Sequence, residues 1–250
     1  HLNWGAWKQD RREDPTAAYE AAIRDFDEAL KRNPGRERTW MSRALANRNL
    51  GNWLEEQAQD PTAAYGRSLS DYGEALQRNP ARGEARMLRG STRMDLALHL
   101  AGRGRDPIPL FRDAIADLTD ALKLVPDARV RRADALATWA SHLHEAGKDP
   151  AEVFRRALDD YDEWIGAHDD LDVRRRRAAA RMKLGLHLQA VREDPTVLYA
   201  GAVAYLDATP GRAAEVEAAL VRRHPHGECW TRATIPARFV LGANPRVSSI

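Results

Sequence analysis

The chain has 250 residues, enough for one large core or two small ones, and charged residues make up 30% of it. Lys and Arg number 39 against 37 Asp and Glu, and the resulting net charge of +2 argues against a nucleic-acid protein, which needs a clustered basic surface. No apolar run approaches the roughly 20 residues that span a membrane, and the single cysteine, Cys229, excludes an internal disulfide and fits a reducing, cytoplasmic setting.

The chain starts at His1 and carries an aromatic pair, Trp4 and Trp7, ahead of a polar stretch. Residues 1–13 match the stretch before Asp60, where Leu50-Gly51-Asn52-Trp53 recurs, so they read as a partial unit that opens inside a helix. We expect a piece of a longer protein.

The segment that follows, Asp14-Pro15-Thr16-Ala17-Ala18-Tyr19, returns as Asp60-Pro61-Thr62-Ala63-Ala64-Tyr65, with weaker copies at Asp106-Pro107, Asp149-Pro150 and Asp194-Pro195. The spacings are 46, 46, 43 and 45 residues, a period that marks a stacked repeat array. Asp suits a helix cap because its carboxylate accepts a free backbone N–H, and Pro suits the first helical position because it has no N–H to leave unpaired. Behind each Asp-Pro the apolar residues fall on one helical face: Tyr19, Ile23, Phe26 and Leu30, then Tyr65, Leu69, Tyr72 and Leu76. The third copy gives Phe111, Ile115, Leu118 and Leu122, and the fourth Phe154, Leu158, Tyr161 and Ile165. Asn33-Pro34 and Asn79-Pro80 end the first two of these helices, with Asn expected in the left-handed geometry.

A second long helix then runs to the next Asp-Pro, over 37–57, 83–103, 128–147 and 171–192. Small residues recur on it at Ala44, Gly90, Ala133 and Ala178, and again at Gly51, Ala97, Ala140 and Gly185, where a neighbouring helix can come close. Arg43, Arg89, Arg132 and Arg177 share one place, and they are expected to pair with the acidic row Asp25, Asp71, Asp117 and Asp160 across the helix stack. Trp7, Trp53, His99, His142 and His187 share another place, read as an aromatic slot beside the Asp-Pro corner. The fifth Asp-Pro helix breaks at Pro210-Gly211, a further helix is expected over about 212–223, and residues 226–250 read as an irregular tail packed on the last repeat. The His224-Pro225-His226-Gly227-Glu228-Cys229 stretch lacks paired-Cys zinc spacing and reads as a polar turn.

Ala22, Phe26, Ala29-Leu30 and Pro34, followed by Trp40 and Arg43-Ala44, with the Arg89-Gly90 variant in the next copy, resemble the tetratricopeptide repeat over residues 1–225. The departure is length: that family's unit is about 34 residues, and by period alone the chain also fits HEAT-type arrays of about 40–47. The resemblance implies an all-α, right-handed α-solenoid of antiparallel helix pairs, built from extended tetratricopeptide-like repeats in which each Asp-Pro opens the second helix of its unit. It also implies a concave surface, lined by the helix ahead of each Asp-Pro, that binds a peptide or protein partner. Carried over by position, that face holds Met41, Leu45, Arg48, Asn52, Met87, Ser91, Met94, Leu98, Asp134, Arg175 and Met182. Its exposed Met residues would suit an adaptable surface.

No Gly-rich phosphate loop, Gly-x-Ser-x-Gly elbow or His-Glu-x-x-His motif occurs, so no catalytic residue, metal or cofactor is expected. The leading expectation is a non-catalytic protein–protein interaction scaffold, whose partner is another protein or another part of the full-length chain. The alternative is the regulatory or sensor arm of a larger enzyme whose catalytic domain lies outside residues 1–250. Stacking of end units between molecules is a third possibility.

Overall fold

Two lengths of helix alternate along the chain because two kinds of stop signal alternate in the sequence. The computed structural model describes residues 1–198 and 201–202; the expected helix over 212–223, the tail and the Cys229 stretch lie outside them. Among the described residues every element is an α-helix: α1 Leu2–Asp10, α2 Thr16–Arg32, α3 Glu37–Glu56, α4 Thr62–Arg78, α5 Gly83–Gly102, α6 Ile108–Leu122, α7 Ala128–Glu145, α8 Ala151–Ala167 and α9 Leu171–Ala190. The chain divides into two compact units, His1–Ala135 and Leu136–Ile250, where sequence reading expects one array over 1–225. Within each unit successive helices pair antiparallel across short connections, an all-α solenoid arrangement.

The Asp-Pro stretches open α2, α4, α6 and α8. Asp14, Asp60, Asp106 and Asp149 each accept the backbone N–H two residues on, at 2.9, 2.9, 3.0 and 2.9 Å. Each helix then buries its first aromatic ring, so that Tyr19, Tyr65, Phe111 and Phe154 are almost wholly covered. A glycine admits that ring: a Cβ on Gly51 would stand 2.6 Å from Tyr65 Cε1, and one on Gly5 2.5 Å from Tyr19 Cε1.

The corner itself depends on a feature that sequence reading missed. Arg12, Ala58, Gly104, Gly147 and Arg192, each two residues ahead of an Asp-Pro, take φ of 59, 56, 69, 68 and 63°. The next N–H reaches back five residues, for example Gln59 to Leu54 O and Arg105 to Leu100 O at 2.8 and 2.9 Å, which closes the helix with its last carbonyls satisfied. The expectation for Asn33 and Asn79 is corrected: their φ/ψ of −142/84° and −138/85° are extended, because a residue before proline is pushed out of the helical region.

The start of α3 is pinned by side chains. Trp40 donates its indole N–H to Pro34 O at 2.8 Å, and its ring lies between the guanidiniums of Arg43 and Arg78, 4.9 and 4.7 Å from the centroid. At the N-terminal edge α1 has only 9 residues and covers the start of α2, leaving Phe26 half-buried and Ala29 exposed.

Candidate docking face

In the first unit α3 and α5 run side by side, tied by Arg48 Nε to Asp95 Oδ2 at 2.8 Å. Most of the expected partner-binding set lies on these two helices. Leu45, Met87 and Met94 are half-buried, and Leu98, one turn beyond Met94, is 50% exposed. Arg48 is engaged by Asp95, and Asn52 Oδ1 accepts the Tyr65 hydroxyl at 2.9 Å, so both are held by the fold rather than extended into solvent. Asp134 is half-buried at the end of the first unit. Arg175, in the second unit, is exposed and 3.9 Å from Asp172.

Three expected contacts are corrected. Met41, 8% exposed, packs into a core cluster with Ala44, Tyr72, Ala75, Leu76 and Ala85, and Met182 is 3% exposed. Ser91 is buried and donates its hydroxyl to Met87 O at 3.1 Å. The long helices turn these positions toward their neighbours, so a residue's place in the repeat does not by itself put it on the surface. Leu45, Met87, Met94 and Leu98 are the apolar members of the expected set on α3 and α5 that keep solvent-exposed surface.

The arginine row ties neighbouring helices together. Arg43 grips Asp71 with two bonds, at 2.9 and 2.6 Å, and Asp27 of the previous repeat with a third at 2.5 Å. Arg89 repeats the double bond on Asp117 at 2.8 and 2.6 Å, and Arg93 joins the same carboxylate. In the second unit Arg177 reaches Asp162. The expected partner Asp25 is corrected to Asp27: Asp25 is exposed and lies 3.6 Å from His1 Nε2. One arginine thus links two repeats, which its own repeat's carboxylate could not do. Hydrogen bonding to Asp71 holds the Arg43 guanidinium above its ordinary pKa, while burial raises the Asp71 carboxyl.

The aromatic slot also proves to be a seam between repeats. His99, 5% exposed, is placed with Nδ1 2.5 Å from Glu55 Oε2 and Nε2 3.5 Å from Asp60 Oδ1. In the second unit His187 Nε2 is 3.1 Å from Asp149. At both places the slot meets the Asp-Pro corner one repeat earlier. The Thr16 hydroxyl and N–H hold the Asp14 carboxyl below the usual range; Thr62 does the same for Asp60, and the Ala151 N–H for Asp149.

No protein-family model matches the chain, and no curated protein matches its sequence. Two crystal structures of MamA are similar to it. One shares 17% identity over 83% of this chain and 96% of that chain with a TM-score of 0.46; the other shares 16% over 84% and 92% with a TM-score of 0.48. The helices themselves define the class: among the described residues each unit is an all-α array of helix pairs. Among the described residues no helix is long and apolar enough to cross a membrane.

Proposed function

We propose that the chain is a non-catalytic docking scaffold that takes a protein or peptide segment along the α3–α5 face. The observation that carries this reading is Leu98, 50% exposed on α5, a helix whose Asp95 and Arg89 are ion-paired to neighbouring helices, with Met94 one turn before it. A face held by Arg43, Arg48 and Arg89 needs little ordering when a partner arrives, and that lowers the entropic cost of binding. Met94 adapts its side chain to partner shape, and Leu98 supplies apolar area. The partner is a polypeptide with apolar side chains at helical or extended spacing, and no nucleic acid is involved.

A photo-crosslinking residue placed at Leu98 tests this. Under illumination in the native cell extract it should capture one dominant polypeptide. The same residue at Leu124, equally exposed at the end of α6, should not capture it. Equal capture at both positions would remove the face from the account.

A further inference from the structure

The seam where α5 meets the repeat before it closes on one imidazole. His99 is buried near the end of α5. Its Nδ1 stands 2.5 Å from Glu55 Oε2, at the end of α3, and its Nε2 3.5 Å from Asp60 Oδ1, just ahead of α4. Both ring nitrogens therefore face carboxylate oxygens. A neutral imidazole donates from one nitrogen and turns the lone pair of the other outward, whereas an imidazolium donates from both. Two carboxylates on opposite sides of the ring are complementary to the protonated form and not to the neutral one.

The neighbouring groups leave that complementarity in place. The Thr62 hydroxyl and N–H hold the Asp60 carboxyl below the usual range, with smaller contributions from His99 and from Arg103, one turn further along α5. On the helices packed against α5, Tyr65 of α4 donates its hydroxyl to Asn52, and Asp106 ahead of α6 accepts the Ile108 N–H. The other histidines of this slot lack the second carboxylate. In sequence Ala101 stands to His142 as Glu55 stands to His99, and His144 stands so to His187. The His144 and His187 rings meet edge-on with centroids 5.6 Å apart.

We infer that His99 is a proton-operated clasp, whose protonated ring ties the end of α5 to Glu55 and Asp60 and whose deprotonation loosens that end. The tie is present on the acid side of the ordinary imidazole range, around pH 6.5, and is lost as pH rises through it. Carboxyl groups ordinarily ionise near about pH 4, so the two partners keep their charge across that range.

Hydrogen exchange on the 250-residue chain tests this. The side chains of Glu55 and Asp60 are 48% and 67% exposed, so the effect is modest. Protection of the amides over 97–102, corrected for intrinsic exchange, should fall about threefold between about pH 5.5 and about pH 8. Protection over 87–91, near the start of the same helix, should not change. His99→Gln and His99→Trp should each abolish the fall; the second fills the slot with the residue that Trp53 supplies one repeat earlier. Glu55→Gln with Asp60→Asn leaves a covered ring without charged partners, which favours its neutral form, so protection over 97–102 should no longer fall as pH rises. A wild-type chain with no fall over 97–102 overturns the proposal. So does a fall of the same size in the His99 variants or in the Glu55–Asp60 variant, since the clasp would then not be its source.

Discussion

His99 and Asp60 belong to successive repeats, yet their side chains meet, with the imidazole Nε2 3.5 Å from the carboxylate Oδ1. The carboxylate that accepts the Thr62 N–H just ahead of α4 therefore also receives the helix of the next repeat. Helix start and repeat stacking share one residue, and the Asp-Pro marker recurs so regularly because it serves both.

The arginine ladder predicts a double-mutant outcome. Arg43→Met leaves the Asp71 carboxylate buried without its two-bond partner and should cost about 3–5 kcal/mol in urea unfolding. Arg43→Met with Asp71→Leu should recover most of that loss. Burial already raises the Asp71 carboxyl, so the single variant can relieve its unpaired charge by taking up a proton, and its deficit should shrink as pH falls. An equal deficit in the single and double variants would show that the pair is not the stabilising unit.

Ala58 takes φ of 56° at a place where Gly104 and Gly147 stand in later repeats. A side chain costs energy in that conformation, so Ala58→Gly should stabilise the first unit by about 0.5–1 kcal/mol. The urea midpoint should rise with an unchanged slope.

Two glycines on neighbouring helices should respond in opposite directions. A Cβ on Gly51 would stand 2.6 Å from Tyr65, whereas nothing lies within 4 Å of one on Gly73. Gly51→Val should destabilise by about 1–3 kcal/mol through overpacking. Gly73→Ala should stabilise by about 0.5–1 kcal/mol through reduced backbone freedom in the unfolded chain. Thermal melts of the two variants distinguish packing from propensity.

The corner carboxyls predict the acid limb of stability. Hydrogen bonds from Thr16, Thr62 and Thr196 and from the Ala151 N–H hold Asp14, Asp60, Asp194 and Asp149 below their ordinary value of 3.8. Their contribution is present above that value and is lost as pH falls through the lower folded values. Asp60→Asn keeps an acceptor for Thr62 but does not titrate. Its melting temperature should fall less than the wild type's between about pH 5 and about pH 2. Parallel curves would show that Asp60 plays no part in acid unfolding.

Much of the fold was legible because each repeat spells out its own boundaries. The expected helices over 37–57, 83–103, 128–147 and 171–192 agree with α3, α5, α7 and α9 to within two residues at their ends. The small-residue positions also pack as the sequence implied, with Ala44, Ala97, Ala133 and Ala140 fully buried, and Arg43 and Arg89 take the expected Asp71 and Asp117 while Arg177 reaches Asp162. The left-handed corner was harder to read, because Arg12, Ala58 and Arg192 occupy it without glycine; Gly104 and Gly147, at matching places, were the available signal. The binding face was the least legible. Period assigns Met41 and Met94 to one side of their helices, but burial depends on how far the neighbouring helix extends, and that cannot be read from one repeat alone.

The most direct measurement is the affinity of the polypeptide captured at Leu98 for the wild-type chain and for Met94→Glu with Leu98→Glu, by calorimetry. A docking face on α3 and α5 predicts that binding weakens by at least tenfold while the helical signal and melting temperature are unchanged. Unaltered affinity in a folded double variant would contradict it.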